Sequence, residues 1–319
     1  MRKAQAKIIL GRLVNRKQYL APFTDKATHF EKLIAEAFSC ILNLPFYSLD
    51  DDNTKRTYRV TWQGKSSSMT QAPPGPDTIA YCYNFHLLIE ATRLKGAGQW
   101  KQEFSSAIRH CEDFCKQPDV QHEDVFVILV CDYPLHQDMY RSVRSVRSGP
   151  DRKYKLIPME TETVIRMLET SLLAFTMKHL EVRKLLPKIL NAVKETSSLQ
   201  DFKREVDVQL NVWQKDVLKH EKTAFTGIKS YEILITSKRK EVTLSEIFNA
   251  LQKHPAVQKY FDVIGSNFLN PDLVENSLVP QGLASCVSYT IDDEPRLIAA
   301  PLPDFKNRYD RLVRELRKI

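Results

Sequence analysis

Three carboxylates stand at equal intervals in the sequence: Asp77, Glu90 and Glu103, each thirteen residues after the one before. Asp77 follows Gly75 and Pro76 at the head of an apolar run, Glu90 interrupts a second run, and Glu103 falls near the start of a helically periodic segment. If Thr78–Tyr83 and Phe85–Leu94 pair as a hairpin around Asn84, Asp77 and Glu90 meet at one of its ends. Glu90 is the informative residue, because an unpaired carboxylate in a buried strand costs several kcal/mol unless something compensates it. A divalent cation shared with Asp77 would do so, since Mg²⁺ prefers one or two carboxylates together with water and phosphate oxygens. The plainer alternative is structural. Asp77 would open a turn, Glu90 would pair with Arg56, Arg59 or Arg93, and Glu103 would be a favourable acid in a helix's first turn.

The elements that must position these acids follow from periodicity. Phe30, Leu33, Ile34, Ala37, Phe38 and Ile41 form one stripe of an amphipathic helix over 28–42. Residues 56–63 alternate and are rich in β-branched and aromatic types, which predicts a strand. A Ser/Pro/Gly-rich loop over 66–76 leads into the hairpin. A helix is expected from Gln99 to about Lys116, a buried strand at Val125–Cys131, a helix over 135–147 and a strand over Tyr154–Met159. From Thr163 to about His220 the pattern is helical, with breaks expected at Pro187 and Ser197–Ser198. This order, α-β-β-β-α-β-α-β-α, predicts an α/β fold: a mixed sheet with helices on its faces. Beyond 225 a strand is expected at Tyr231–Thr236. A capping box at Thr243–Glu246 then opens a helix, and Pro255 opens another over 256–263, a pair that would make a short helix-turn-helix or winged-helix-like module or simply pack as helices.

Composition narrows the chemistry. The 319 residues include 43% hydrophobic and 27% charged types, as expected of a chain that buries a core. Lys and Arg exceed Asp and Glu by 47 to 39, which favours a polyanionic partner. Only 9 residues are glycine, against an average of about 7%. The single candidate phosphate loop, Gly96–Lys101, lacks a third glycine, and no GxxxxGK[ST] occurs, which argues against Rossmann oxidoreductases and P-loop NTPases. No apolar run approaches the ~18 residues of a membrane span, and the N-terminus lacks a secretory apolar segment. The six cysteines include no CxxC pair. Cys111 and Cys115, with His110 alongside, could begin a zinc site, but no second pair stands at ligand spacing, so free thiols in a cytoplasmic protein are the better reading.

Pro76-Asp77, then eleven residues, then Ile89-Glu90-Ala91-Thr92 resembles the PD-(D/E)xK nuclease superfamily. The usual lysine two residues after the second acid is Thr92 here, which resembles the AlwI-type branch of type IIS restriction enzymes. In that branch a Glu-x-Thr strand is followed by a Gln and a Glu on the next helix, and Gln99 and Glu103 occupy those places. The resemblance implies a restriction-endonuclease-like core and Mg²⁺-assisted hydrolysis of a DNA phosphodiester, the metal held by Asp77, Glu90 and the carbonyl of Ala91. Thr92 supplies no positive charge, so Glu103 would position the water, with Lys95 or Arg93 as the second choice near the phosphate. The early helix often supplies a further acid. Glu31 lies about 90° from the centre of its apolar stripe and Glu36 about 130°, so Glu31 is the better candidate.

Arg141, Arg144 and Arg147, followed by Arg152, Lys153 and Lys155, could clamp DNA phosphates or form a solvated face. Residues 1–24 read as a basic arm or simply a basic terminus, 25–185 as the nuclease core, and 186–319 as a mainly helical region for DNA recognition or dimerisation. The reading is a restriction endonuclease acting on double-stranded DNA. One such site cuts one strand, so duplex cleavage would require a homodimer or a partner nuclease subunit. The alternatives are a non-catalytic nucleic-acid-binding protein on the same scaffold and a repair or transposition nuclease.

Overall fold

The computed structural model describes residues 2–48, 58–64, 75–117, 120, 124–148, 155–174, 179–239, 241–287, 295–301, 307 and 308. The chain divides into two compact units. The first comprises Met1–Leu172 with Met177–Leu210, and the second Leu173–Thr176 with Asn211–Ile319.

The first unit is built on a six-stranded mixed sheet in the order β1-β2-β3-β4-β5-β6. These strands are β1 (Phe46–Ser48), β2 (Arg59–Trp62), β3 (Thr78–Cys82), β4 (Phe85–Thr92), β5 (Asp124–Cys131) and β6 (Lys155–Glu160). β2, β3 and β4 form an antiparallel meander, while β4, β5 and β6 run parallel and β1 lies parallel to β2. Every residue of β4 is buried, and so is all of β5 after Asp124. Their continuous apolar runs are what strands covered on both faces require. β3 and β4 turn at Tyr83-Asn84, with Asn84 in the left-handed region (φ 62°) that asparagine tolerates better than most residues. The register Thr78↔Ile89 then puts Asp77 beside Glu90.

Helix α3 (Lys26–Leu42) buries the stripe read from the sequence. Asp25 caps it by accepting from the Thr28 amide at 3.1 Å, and Asn43 ends it at φ 56°. It packs on β2 and β4 and against α1 (Arg2–Val14). The N-terminal stretch is therefore not a free arm. Ile9, Leu13 and Leu20, the last in α2 (Arg16–Leu20), are buried, and Arg16 donates to Asp132 at 2.5 Å and Glu162 at 2.8 Å.

After β4 the chain enters a π-helix, Gln99–Phe104, which continues as α4 (Ser105–Cys115). Fully buried Gln99 anchors it: its amide nitrogen donates to the Leu94 and Pro134 carbonyls and its oxygen accepts from the His136 amide. Helices α5 (Gln137–Ser148), α6 (Thr161–Leu173) and α7 (His179–Glu195) complete the unit with the start of α8 (Leu199–Lys219). Pro187 lies inside continuous α7 and causes no break there. The unit extends past residue 185 because α7 buries Val182, Leu185, Leu186, Ile189 and Val193 and packs on α3, α5 and β6.

In the second unit the expected strand at Tyr231–Thr236 is instead part of α9 (Lys222–Thr236). Tertiary packing overrides the β-type composition of that stretch. A Cβ at Gly227 would stand 2.6 Å from the Ser277 carbonyl oxygen of α12 (Pro271–Leu278), so only glycine allows this approach of the two helices. The capping box forms as expected: Thr243 accepts from the Glu246 amide and opens α10 (Leu244–Lys253). Next come α11 (Pro255–Ile264), a short 3-10 turn over Ser266–Phe268, and α12. β7 (Val242–Thr243), β8 (Ala284–Val287) and β9 (Arg296–Ala299) form an antiparallel sheet in the order β7-β9-β8. Helices α9, α10 and α12 touch one another. The order helix, strand, helix, helix, strand, strand is that of a winged helix, with α11 inserted before its third helix.

If α1 belongs to the core, Leu13→Ala leaves a cavity against α3 and lowers unfolding stability by about 2–5 kcal/mol. Urea denaturation measures this, and an unchanged midpoint would return residues 1–24 to the status of an arm.

Candidate active site

Side chains alternate along a strand, so Glu90 and Thr92 share one face of β4. Asp77, opposite Glu90 in the hairpin, joins them there. The Ala91 amide donates to Asp77 Oδ2 at 2.8 Å, and the Asp77 amide lies 3.4 Å from Glu90 Oε2. β3 begins at Thr78, so the Asp77 side chain takes the place of a ladder partner for Ala91. Backbone groups of one residue leave a strand on the same edge, so the Ala91 carbonyl points to this side as well.

The helix after β4 covers that face. Thr92 accepts from the Leu94 amide at 3.1 Å and donates its hydroxyl to Glu103 Oε1 at 3.2 Å. Where the related strands carry lysine, this threonine therefore holds a carboxylate. His110 Nδ1 stands 2.6 Å from Glu90 Oε1, and its Nε2 is 3.4 Å from Ser106 Oγ. His110 was missed in the reading of the acids. The signal was available: it follows Glu103 by seven residues, two turns along one helix face.

Burial pushes the Asp77 carboxyl well above the usual range, and Glu90, Glu31 and Glu103 add to that push against the opposing Ala91 amide. Glu31 is raised to about 7 by burial, then by Asp25, Glu103 and Glu90. Glu103 is raised by burial and by Glu90, opposed by the Thr92 hydroxyl and His110. Glu31, Asp77, Glu90 and Glu103 thus form one electrostatic cluster. Glu36 lies elsewhere, 3.7 Å from Arg12.

The cations proposed for Glu90 have other contacts. Arg93 pairs with Asp132 at 2.8 Å, while Arg59 donates to Thr61 and lies over the Tyr81 ring. Arg56 lies outside the described residues. Lys95 is exposed and sits 4.3 Å from the centre of the Tyr133 ring. Of the basic stretch, Arg141 is exposed on α5 with Asp138 at 3.8 Å, and Arg144 is half-buried. The Arg147 side chain, Arg152 and Lys153 lie outside the described residues. Cys111 and Cys115 are free thiols with sulfurs 4.0 Å apart.

Among the described residues no group of three or more His, Cys, Asp or Glu side chains is gathered as a metal cage. The donor set suits a different arrangement. Asp77 and Glu90 are adjacent carboxylates, Glu90 raising the cost of charging Asp77, with a backbone carbonyl on the same edge. Such a set fits a hard cation that takes two carboxylates and completes its shell with water and phosphate.

Raised acids bind protons more tightly in the folded than in the unfolded state, so their contribution to stability is present at low pH and is lost as pH rises through the folded value. For Glu31 that window runs from about 4.5 to about 7. The Tm of the metal-free protein should therefore fall between pH of about 4.5 and about 7, and Glu31→Gln should flatten the fall. Adding Mg²⁺ should raise Tm most at the alkaline end, and Asp77→Asn should abolish that gain. A Tm independent of both pH and metal would count against the cluster.

Residues 9–167 match the model of the AlwI restriction endonuclease family. No curated protein matches the chain. Among solved structures the chain is similar to the small subunit of the heterodimeric restriction endonuclease R.BspD6I. Identity is 13%, 64% of this chain and 97% of that one are covered, and the TM-score is 0.46. The matched segment holds Glu31, Asp77, Glu90, Thr92, Glu103 and His110, and over it this chain is similar to the AlwI restriction endonucleases.

Proposed function

We propose that this protein is a Mg²⁺-dependent DNA endonuclease of a restriction system, hydrolysing phosphodiester bonds of double-stranded DNA in the cytoplasm. The observation that carries the reading is the convergence of Asp77 and Glu90 at the end of the β3–β4 hairpin, with Glu103 held over the same face by Thr92. The family match supports a restriction nuclease.

Asp77, Glu90 and the Ala91 carbonyl would hold the metal. When bound, it supplies positive charge at the scissile phosphate and the leaving oxygen. Glu103, whose carboxyl is raised by burial and by Glu90, is placed to take a proton from the attacking water. Thr92 fixes the direction of that carboxylate, and Glu31 supplies a second acid within its field. His110 acts as a positioning residue, because its ring fixes one oxygen of Glu90. Lys95, exposed beside Tyr133, is available to a phosphate outside the cluster. The arginines of the 141–153 stretch would contact the DNA backbone. With one such site per chain, duplex cleavage needs a homodimer or a partner nuclease subunit.

A supercoiled plasmid tests the reading. Nicking should require Mg²⁺, stop with EDTA, and fall by at least about a hundredfold in Asp77→Ala and Glu90→Ala. His110→Ala should demand about 10–100-fold more metal for the same rate, the usual cost of losing a residue that orients a ligand. Cutting that survives in Asp77→Ala would overturn the assignment. Salt-sensitive DNA binding with no cleavage would favour a non-catalytic role.

A further inference from the structure

Among the described residues of the second unit, a pair of cations stands with no acid paired to either. Lys219 Nζ lies 5.4 Å from the centre of the Phe268 ring and Lys222 Nζ lies 4.6 Å from it. The two ammonium groups are therefore no farther apart than the sum of those distances, and they repel each other. Among the described residues neither has a carboxylate within salt-bridge reach, whereas Lys229, Arg239 and Arg296 of this unit pair with Glu232, Glu246 and Glu241. Glu221, between the lysines in sequence, is buried and acts on Tyr260. A single ring contact is a weak attraction for each cation at an exposed site, and does not account for gathering two of them. An anion between the lysines resolves the repulsion.

The fold says which anion is fitting. In a winged helix that reads DNA, the third helix enters a groove while flanking segments hold the backbone. Here that helix, α12, exposes Asp272 and Asn276 and half-exposes Glu275. Its acids repel phosphates, although their oxygens can accept from base amino groups. Backbone contacts must then come from beside the helix. Phe268 precedes the α12 cap, Asn270, by two residues, and brings the two lysines to that flank.

We propose that Lys219 and Lys222, spaced by Phe268, clamp backbone phosphates of duplex DNA and so make the second unit a DNA-holding module. The idea rests on the DNA reading above but not on catalysis, so the two fail separately. The test uses the full chain carrying Asp77→Ala, a fluorescent duplex and a salt titration. The double variant Lys219→Gln/Lys222→Gln should bind more weakly and lower the slope of log K against log salt by about 2, at about 0.9 per phosphate contact. Lys219→Arg/Lys222→Arg should restore the slope. An unchanged slope in the glutamine variant, with its Tm also unchanged, overturns the clamp. So does lysine-dependent binding to vesicles containing phosphatidylserine without binding to the duplex. Plasmid cutting by the unmodified chain is scored separately: a protein that binds through the lysines but never cuts keeps the clamp and loses the nuclease reading.

Discussion

Four carboxylates held out of water within one another's field are the constraint on which the first unit turns. Bringing these acids, Glu31, Asp77, Glu90 and Glu103, together is costly, because burial and the neighbouring carboxylates raise the cost of charging Glu31, Asp77 and Glu103. The surrounding structure holds them there with groups that have no freedom to relax. The Ala91 amide fixes Asp77, the Thr92 hydroxyl fixes Glu103, and the His110 ring fixes Glu90. These contacts belong to a buried strand and the helix packed on it, so the repulsion cannot be relieved by turning side chains outward. A bound cation would relieve it, which is the basis of the metal-dependent reading proposed above.

The π-helix belongs to the same constraint. One wide turn over Gln99–Phe104 changes the phase of the helix, and Glu103 and His110 both reach the face of β4 that bears Thr92 and Glu90. Gln99 anchors this turn by bonding to three backbone groups from deep within the fold. Its value is therefore positional. The same economy explains Asp132, which draws Arg16 and Arg93 to itself.

Much of this is legible in the sequence. The stripe of α3, the apolar runs of β4 and β5 and the capping box of α10 are local patterns, and each formed where its period or cap residues put it. Less local features were not legible. β1 is three residues long, too short to show a period. The segment 231–236 has the composition of a strand, yet it is helical because Gly227 lets α9 seat against α12. Pro187 is a helix breaker by type but is accommodated within α7. The basic N-terminus reads as an arm or a basic terminus because no acid precedes Asp25 to offset its six cations, although it buries Ile9, Leu13 and Leu20.

By itself the sequence determined the chemistry on offer: two acids at the ends of paired strands, a threonine where a lysine is usual, a third acid on the following helix. Residue type and spacing along one chain are enough for that, because strand and helix periods are short-range properties of the backbone. Only the tertiary structure decided which groups face the acids. Arg93 went to Asp132 and Lys95 to Tyr133, while His110 came to Glu90. Such choices depend on which surfaces pack together, and no period within a single element carries that information.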